Sequence, residues 1–226
     1  MWNFTFENLK QQYEEVLTQG YKVLTCKEYC MHKANAQYDR VLVNRVDVDI
    51  SPKRAEILSD IYSTLGIHAT FFIRLHAFEY NAFSFENYRI FKKIRDAGHE
   101  VGYHSEIVDQ ANIWGEDPRD CLVRDIGVIN QMLNIKIDGV ASHGGITGLN
   151  NLDFWKNHKP GDFGLLYEAY DKEPEFNLFQ ESLYVSDSCW THWKCYDNGQ
   201  LAQDDRRSPA EHAADGKPVI AMLVHP

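Results

Sequence analysis

The chain has no apolar run approaching the about 18 consecutive residues of a membrane-spanning helix, so a span is not expected. Its start, MWNFTFENLKQQYEEV, lacks the basic segment and long apolar stretch of a secretory signal, and a cytoplasmic location is the expectation. No glycine-rich dinucleotide fingerprint follows the first clear strand, and no Walker A sequence occurs, which removes the commonest nucleotide cofactors of parallel α/β sheets. Positive charge is scarce. There are 23 Lys and Arg against 33 Asp and Glu, a formal net charge of -10, and the longest basic cluster is KKIR at 92–95. Binding to nucleic acid needs clustered cations, so none is expected. Paired cysteines are missing too. Cys26, Cys30, Cys121, Cys189 and Cys195 are an odd set without a paired metal-site spacing, as reduced thiols would be. Cys26 and Cys30 alone are a weak zinc signal and read as ordinary thiols. Finally, no repeat, low-complexity run or linker interrupts the chain, so one domain spanning 1–226 is expected.

What the sequence does have is alternation of strand and helix. The β-branched run at 41–50 meets Ser51 and Pro52, a cap with proline in the first turn, and the helix that follows closes at Gly66. A strand at 68–74, a helix at 84–97 stopped by Gly98, a strand at 100–104, a helix opened by Asp117 and Pro118, and a strand at 138–142 continue the pattern. Between 149 and 200 the pattern loosens to a short helix near 150–157 and strands near 163–166 and 183–186. SPAE at 208–211 then makes a capping box ahead of a last strand, PVIAMLVH. The first 40 residues read as a helix over 4–18 and a short edge segment. Strands separated by helices imply parallel pairing with right-handed crossovers. Without nucleotide motifs, the expected fold is α/β, a distorted (β/α) barrel of about seven parallel strands.

Reacting groups of such folds gather where strands emerge at their C-terminal ends. Here those ends offer Asp47 and Asp49, Arg74, His104 and Glu106, His143, Asp187 and His225, whereas strand interiors are mainly aliphatic. In Arg45-Val46-Asp47-Val48-Asp49 a period of two puts the three charged side chains on one face. Two close carboxylates repel, so a divalent metal is expected, with Arg45 as a second positive charge. Asp49, His104 and His143 lie at equivalent levels of neighbouring strands, as a three-ligand catalytic site requires. Glu106 shares a face with His104 and is either a ligand or a cap of the next helix. The glycines of ASHGG allow close backbone approach to a ligand. Asp187 is either a turn cap or the acid that orients His225 as proton donor. His99 ends no strand and reads as structural.

VDVDIS, ATFFI, GHEVGYHSE, a glycine-bearing turn and a terminal LVH occur in one order. Over roughly residues 41–226 this resembles the polysaccharide deacetylases of the NodB-homology type, carbohydrate esterase family four. The resemblance implies Asp47 as catalytic base, Asp49 and His104 as ligands of a divalent metal, most simply Zn2+, Asp187 as orienting acid and His225 as general acid. The family's second histidine would fall on Val108, which shifts the third ligand to His143, with Glu106 competing. The arginine and proline usual near 143 are absent. These departures are similar to a divergent, WbmS-like branch found among O-antigen and other surface-polysaccharide genes. The implied activity is metal-dependent removal of an acetyl or formyl group from an amino sugar, with Arg45 and Arg74 toward substrate and Glu106 assisting catalysis. A metal-dependent phosphoesterase and a catalytically silent sugar-binding barrel are the competing readings. Trp114, Trp190 and Trp193 are candidate sugar-stacking rings in either case.

Overall fold

The computed structural model describes residues 4–35, 37–170 and 176–226. Helix α1 (Phe6–Thr18) starts where the Thr5 side chain accepts from the Asn8 amide, and turns Leu9, Tyr13 and Val16 inward. Strand β1 (Lys22–Leu24) and helix α2 (Cys26–Asn35) lead into β2 (Val41–Val48), all eight of whose residues are buried. Ser51 accepts from the Arg54 amide and Pro52 opens α3 (Pro52–Leu65), which Gly66 ends at φ 67°. That left-handed residue is one only glycine adopts without cost. Then come β3 (Thr70–Ile73), α4 (Phe85–Asp96), β4 (Glu100–Ser105), α5 (Ile107–Trp114), α6 (Pro118–Leu133), β5 (Gly139–Ser142) and β6 (Tyr167–Glu168). Helix α7 (Leu178–Glu181), strands β7 (Leu183–Ser186), β8 (Lys194–Asp197) and β9 (Gln200–Ala202), helix α8 (Pro209–Ala214) and strand β10 (Val219–Val224) complete the chain.

The strands form one sheet in the order β6-β5-β4-β3-β2-β10-β7-β8-β9. From β6 to β7 every ladder is parallel, and β7, β8 and β9 are antiparallel. One edge of β2 is shared: β1 pairs with Val41–Val43 and β3 with Arg45–Val48. The protein is thus mixed α/β with a mostly parallel sheet. The expected closure into a barrel is not made by any ladder among the described residues. β8 pairs with β7 along all four of its residues, from Leu183 to Ser186, so β6 and β9 stand at the two ends of the strand order.

Other elements also differ from expectation. Pro160–Phe163 is a 3-10 turn ended by Gly164, so the strand expected at 163–166 begins only at Tyr167 and runs two residues. Helices α2 and α5 and the β8–β9 hairpin were not legible as such. No described helix is long and apolar enough to cross a membrane.

The period-two reading of β2 has a physical counterpart. Leu42, Val46 and Val48 pack into the large cluster under the helices with Phe71, Ile73, Val185 and Met222. Val43 faces the opposite side with Phe72, Ala141, Tyr184 and Leu223. Arg45 and Asp47 share the face of Val43, the side on which Cys26 and Tyr29 of α2 and Leu178 of α7 also pack. His99 is buried on the helix side, where the Ala69 amide donates to its Nδ1 and its Nε2 faces the Ser59 carbonyl oxygen. Burial pushes this ring down to about 4, which suits a neutral, structural histidine.

Candidate metal and hydrolase site

At the C-terminal end of β2, Arg45 forks onto Asp47, Nε to Oδ1 at 2.8 Å and Nη2 to Oδ2 at 2.7 Å. The guanidinium is stacked between Phe72 and Tyr170, 5.3 and 4.5 Å from the ring centroids. Burial pushes Asp47 toward its neutral form, but Arg45 and then His104 outweigh it and hold the carboxyl below its ordinary value. Asp47 is therefore a pre-ionised acceptor.

Asp49 follows the last residue of β2. Its Oδ1 is buried, makes no hydrogen bond, and lies 3.2 Å from His104 Nε2 and 4.0 Å from His143 Nε2. His104, near the end of β4, donates from Nδ1 to the Ala141 carbonyl at 2.8 Å, which turns its Nε2 toward Asp49. Asp47 Oδ2 is 3.3 Å from the same nitrogen. Burial opposes charge on this ring, yet Asp47 and Asp49 prevail and raise its pKa. The site thus favours a positive charge at one point.

A metal fits that demand. Asp49, His104 and His143 each bring one ligand atom within 4.8 Å of the others. Around tetrahedral zinc, N and O donors at about 2.0–2.1 Å lie about 3.3 Å apart. The Asp49–His104 distance matches, and His143 needs a swing of about 0.7 Å. The unpartnered Asp49 oxygen is the atom a cation would satisfy.

Glu106 is at the N-cap of α5 but makes no side-chain cap bond. Its Oε1 takes Arg74 Nη2 at 2.8 Å and lies 3.2 Å from His143 Nδ1, an ion-pair distance without a hydrogen bond, and it stands outside the three-donor group. A carboxylate behind a histidine fixes the ring's orientation toward a metal. Arg74 also reaches the Asp49 carbonyl and Glu79, at 3.1 and 3.2 Å. Arg45 and Arg74 are each 3% exposed and engaged with carboxylates. On the far side of β2, Asp187 Oδ1 meets His225 Nδ1 at 2.6 Å, and Asp187 Oδ2 accepts the His225 amide at 2.9 Å. Burial disfavours the charged ring, but Asp187, with Asp47 and Asp49 behind it, raises its pKa. Asp187 Oδ1 also accepts from the Cys189 amide, as a turn cap does. After it, Ser188, Cys189 and Trp190 have φ of 45°, 55° and 63°, a left-handed run with no glycine that brings the Trp190 indole to the His225 carbonyl.

Residues not foreseen complete the surroundings. Asn151 donates to the His143 carbonyl and to Asp109 Oδ2, while its Oδ1 caps the Val108 and Asp109 amides. Asp109 in turn gathers the Ile146 and Thr147 amides, which fixes the loop behind His143. Glu168, buried at the end of β6, accepts from the Ser142 and Tyr170 amides, and burial pushes it up to about 7. Its strand-end position was masked because that strand was expected to end at 166. Of the three tryptophans, Trp193 is 1% exposed and cannot stack on a sugar.

Fold and site together define a mixed α/β protein with a mostly parallel sheet and a His/Asp group able to hold a metal. No protein-family model matches the chain, and no curated protein matches it. In fold it is similar to a solved structure, the Streptococcus pyogenes deacetylase PplD in complex with acetate, with a TM-score of 0.50 and 12% identity. The likeness covers 95% of this chain and 78% of that one. At such identity it speaks for the fold, and function has to be argued from the site.

Proposed function

We propose that this chain is a metal-dependent hydrolase that removes an acyl group, acetyl or formyl, from an amino sugar of a surface-polysaccharide precursor. The observation that carries the reading is the convergence of Asp49, His104 and His143 beside an ionised Asp47 and the Asp187–His225 pair. The sugar and its polysaccharide context rest on the motif resemblance.

A zinc-like ion held by Asp49, His104 and His143 would supply Lewis-acid polarisation of the acyl carbonyl. Asp47, clamped and ionised by Arg45, takes a proton from the attacking water as its oxygen bonds to the acyl carbon. His225 keeps Nδ1 on Asp187, so Nε2 is the atom that hands a proton to the departing nitrogen as the C–N bond breaks. The products are a carboxylic acid and a free amine. Glu106 holds His143 from behind, and Arg74 holds Glu106. Because Arg45 and Arg74 already serve carboxylates, neither is free to clamp a phosphate, which favours the acyl hydrolase over a phosphoesterase.

The test is release of acetate or formate from N-acylated amino sugars by the zinc-loaded chain and by Asp49→Ala. Activity confined to the unaltered chain is expected. Equal release by both would overturn the metal mechanism, and binding without release by either would leave a sugar-binding protein.

A further inference from the structure

Away from the strand ends, a second set of unlike donors meets behind the β8–β9 hairpin. Cys195 on β8, Asp205 in the segment after β9 and His212 on α8 bring a sulfur, a carboxylate oxygen and a ring nitrogen within 4.8 Å of one another. Cys195 and His212 are fully buried and Asp205 is partly so. Cys195 Sγ is 3.5 Å from His212 Nε2, which is 3.6 Å from Asp205 Oδ1. With Zn–S near 2.3 Å and Zn–N or Zn–O near 2.0–2.1 Å, a tetrahedral site has edges of about 3.6 Å for S–N and about 3.3 Å for N–O. Both separations agree with those edges to within about 0.3 Å. The Arg207 carbonyl oxygen, 3.6 Å from the sulfur, adds a further oxygen donor beside it.

A plain hydrogen-bonded cluster explains this less well. His212 is wholly buried, and its Nε2, the atom turned toward the cluster, meets only a thiol, a weak partner, with Asp205 too distant for a hydrogen bond. Arg207 forks onto Asp205, Nε to Oδ1 at 3.1 Å and Nη2 to Oδ2 at 2.7 Å, and so holds the carboxylate at this spot from behind.

We propose that Cys195, Asp205 and His212 form a second, structural site for a borderline divalent cation, zinc foremost. A thiolate beside an imidazole selects against magnesium and calcium. The ion would tie β8, which pairs with β7, to α8, which leads into β10. Asp187 and His225, the pair that moves the proton in the reading above, directly follow β7 and β10. The site itself does not depend on that reading.

Cobalt(II) tests it, because a thiolate ligand gives a sulfur-to-cobalt charge-transfer band that N and O donors do not. The full chain carrying Asp49→Ala and His104→Ala, stripped and reloaded with cobalt, should bind one equivalent and show the band. Cys195→Ser should abolish it, while Cys26→Ser, Cys30→Ser and Cys189→Ser should not. No band, or one that survives Cys195→Ser, overturns the proposal and leaves the first site untouched. If the double variant folds poorly, the unaltered chain gives the same reading: two zinc per chain, falling to one in Cys195→Ser with His212→Gln, supports the clip. One zinc in both overturns it.

Discussion

Arg45 and Asp47 grip each other through two parallel hydrogen bonds from alternate positions of a single strand. The arginine that the resemblance led one to look for near 143 is absent, and positive charge reaches Asp47 from within its own strand instead. Both side chains are buried, so neither can lose the other cheaply.

Arg45→Ala is expected to leave a buried carboxylate unpaired and to destabilise the fold by about 3–5 kcal/mol, or about 10 °C in Tm. Adding Asp47→Asn to it should recover part of that loss, since the uncompensated charge is gone. Thermal melts of the single and double variants measure this. A double variant no more stable than the single one would contradict it.

Zinc content separates the ligands from their support. In a chain whose second site is removed by Cys195→Ser, His104→Ala and His143→Ala should each abolish the remaining strand-end zinc, whereas Glu106→Gln should weaken its affinity by about 10–100-fold while leaving a site. Competition with a chelating dye gives the constants. If Glu106→Gln lost zinc and His143→Ala kept it, the third ligand would be Glu106.

The raised pKa of His225 has a signed consequence. A proton donor works in its protonated form, so activity should persist below that pKa and fall as pH rises through it. Asp187→Asn removes the main group that raises it, and the alkaline limb of kcat/KM should move to lower pH. His225→Ala should cost about 10²–10⁴-fold in kcat with little change in zinc content. A limb unmoved in Asp187→Asn would assign it to another group.

Two adjacent glycines should respond differently. A Cβ on Gly145 would sit 1.6 Å from the Leu149 carbonyl oxygen, while one on Gly144 meets nothing within 4 Å. Gly145→Ala should displace the loop behind His143 and weaken zinc binding; Gly144→Ala should be close to neutral. Melting and zinc titration of the pair would show whether the loop positions the ligand.

Much of this was legible because charges in aliphatic strands break a simple alternation. Arg45, Asp47 and Asp49 announced an interior polar face, and Ser51-Pro52, Asp117-Pro118 and the Ser208 box announced helix starts. The third donor was harder. His143 and Glu106 are both competent ligands in sequence, and only the fold puts His143 in the three-donor group with Glu106 3.2 Å from its Nδ1. Glu168 escaped because its strand is two residues long, too short for a periodic signal. The cluster of Cys195, Asp205 and His212 spans a hairpin and a helix with no motif spacing, so tertiary contact alone reveals it.

The left-handed run at Ser188, Cys189 and Trp190 sets stability against aim. Glycine at any of the three would relax the backbone, so a search for a more heat-resistant chain would choose these positions early. The same change would unlatch the indole from the His225 carbonyl and give the proton donor freedom to wander. At this corner a tougher protein would be a worse-directed one.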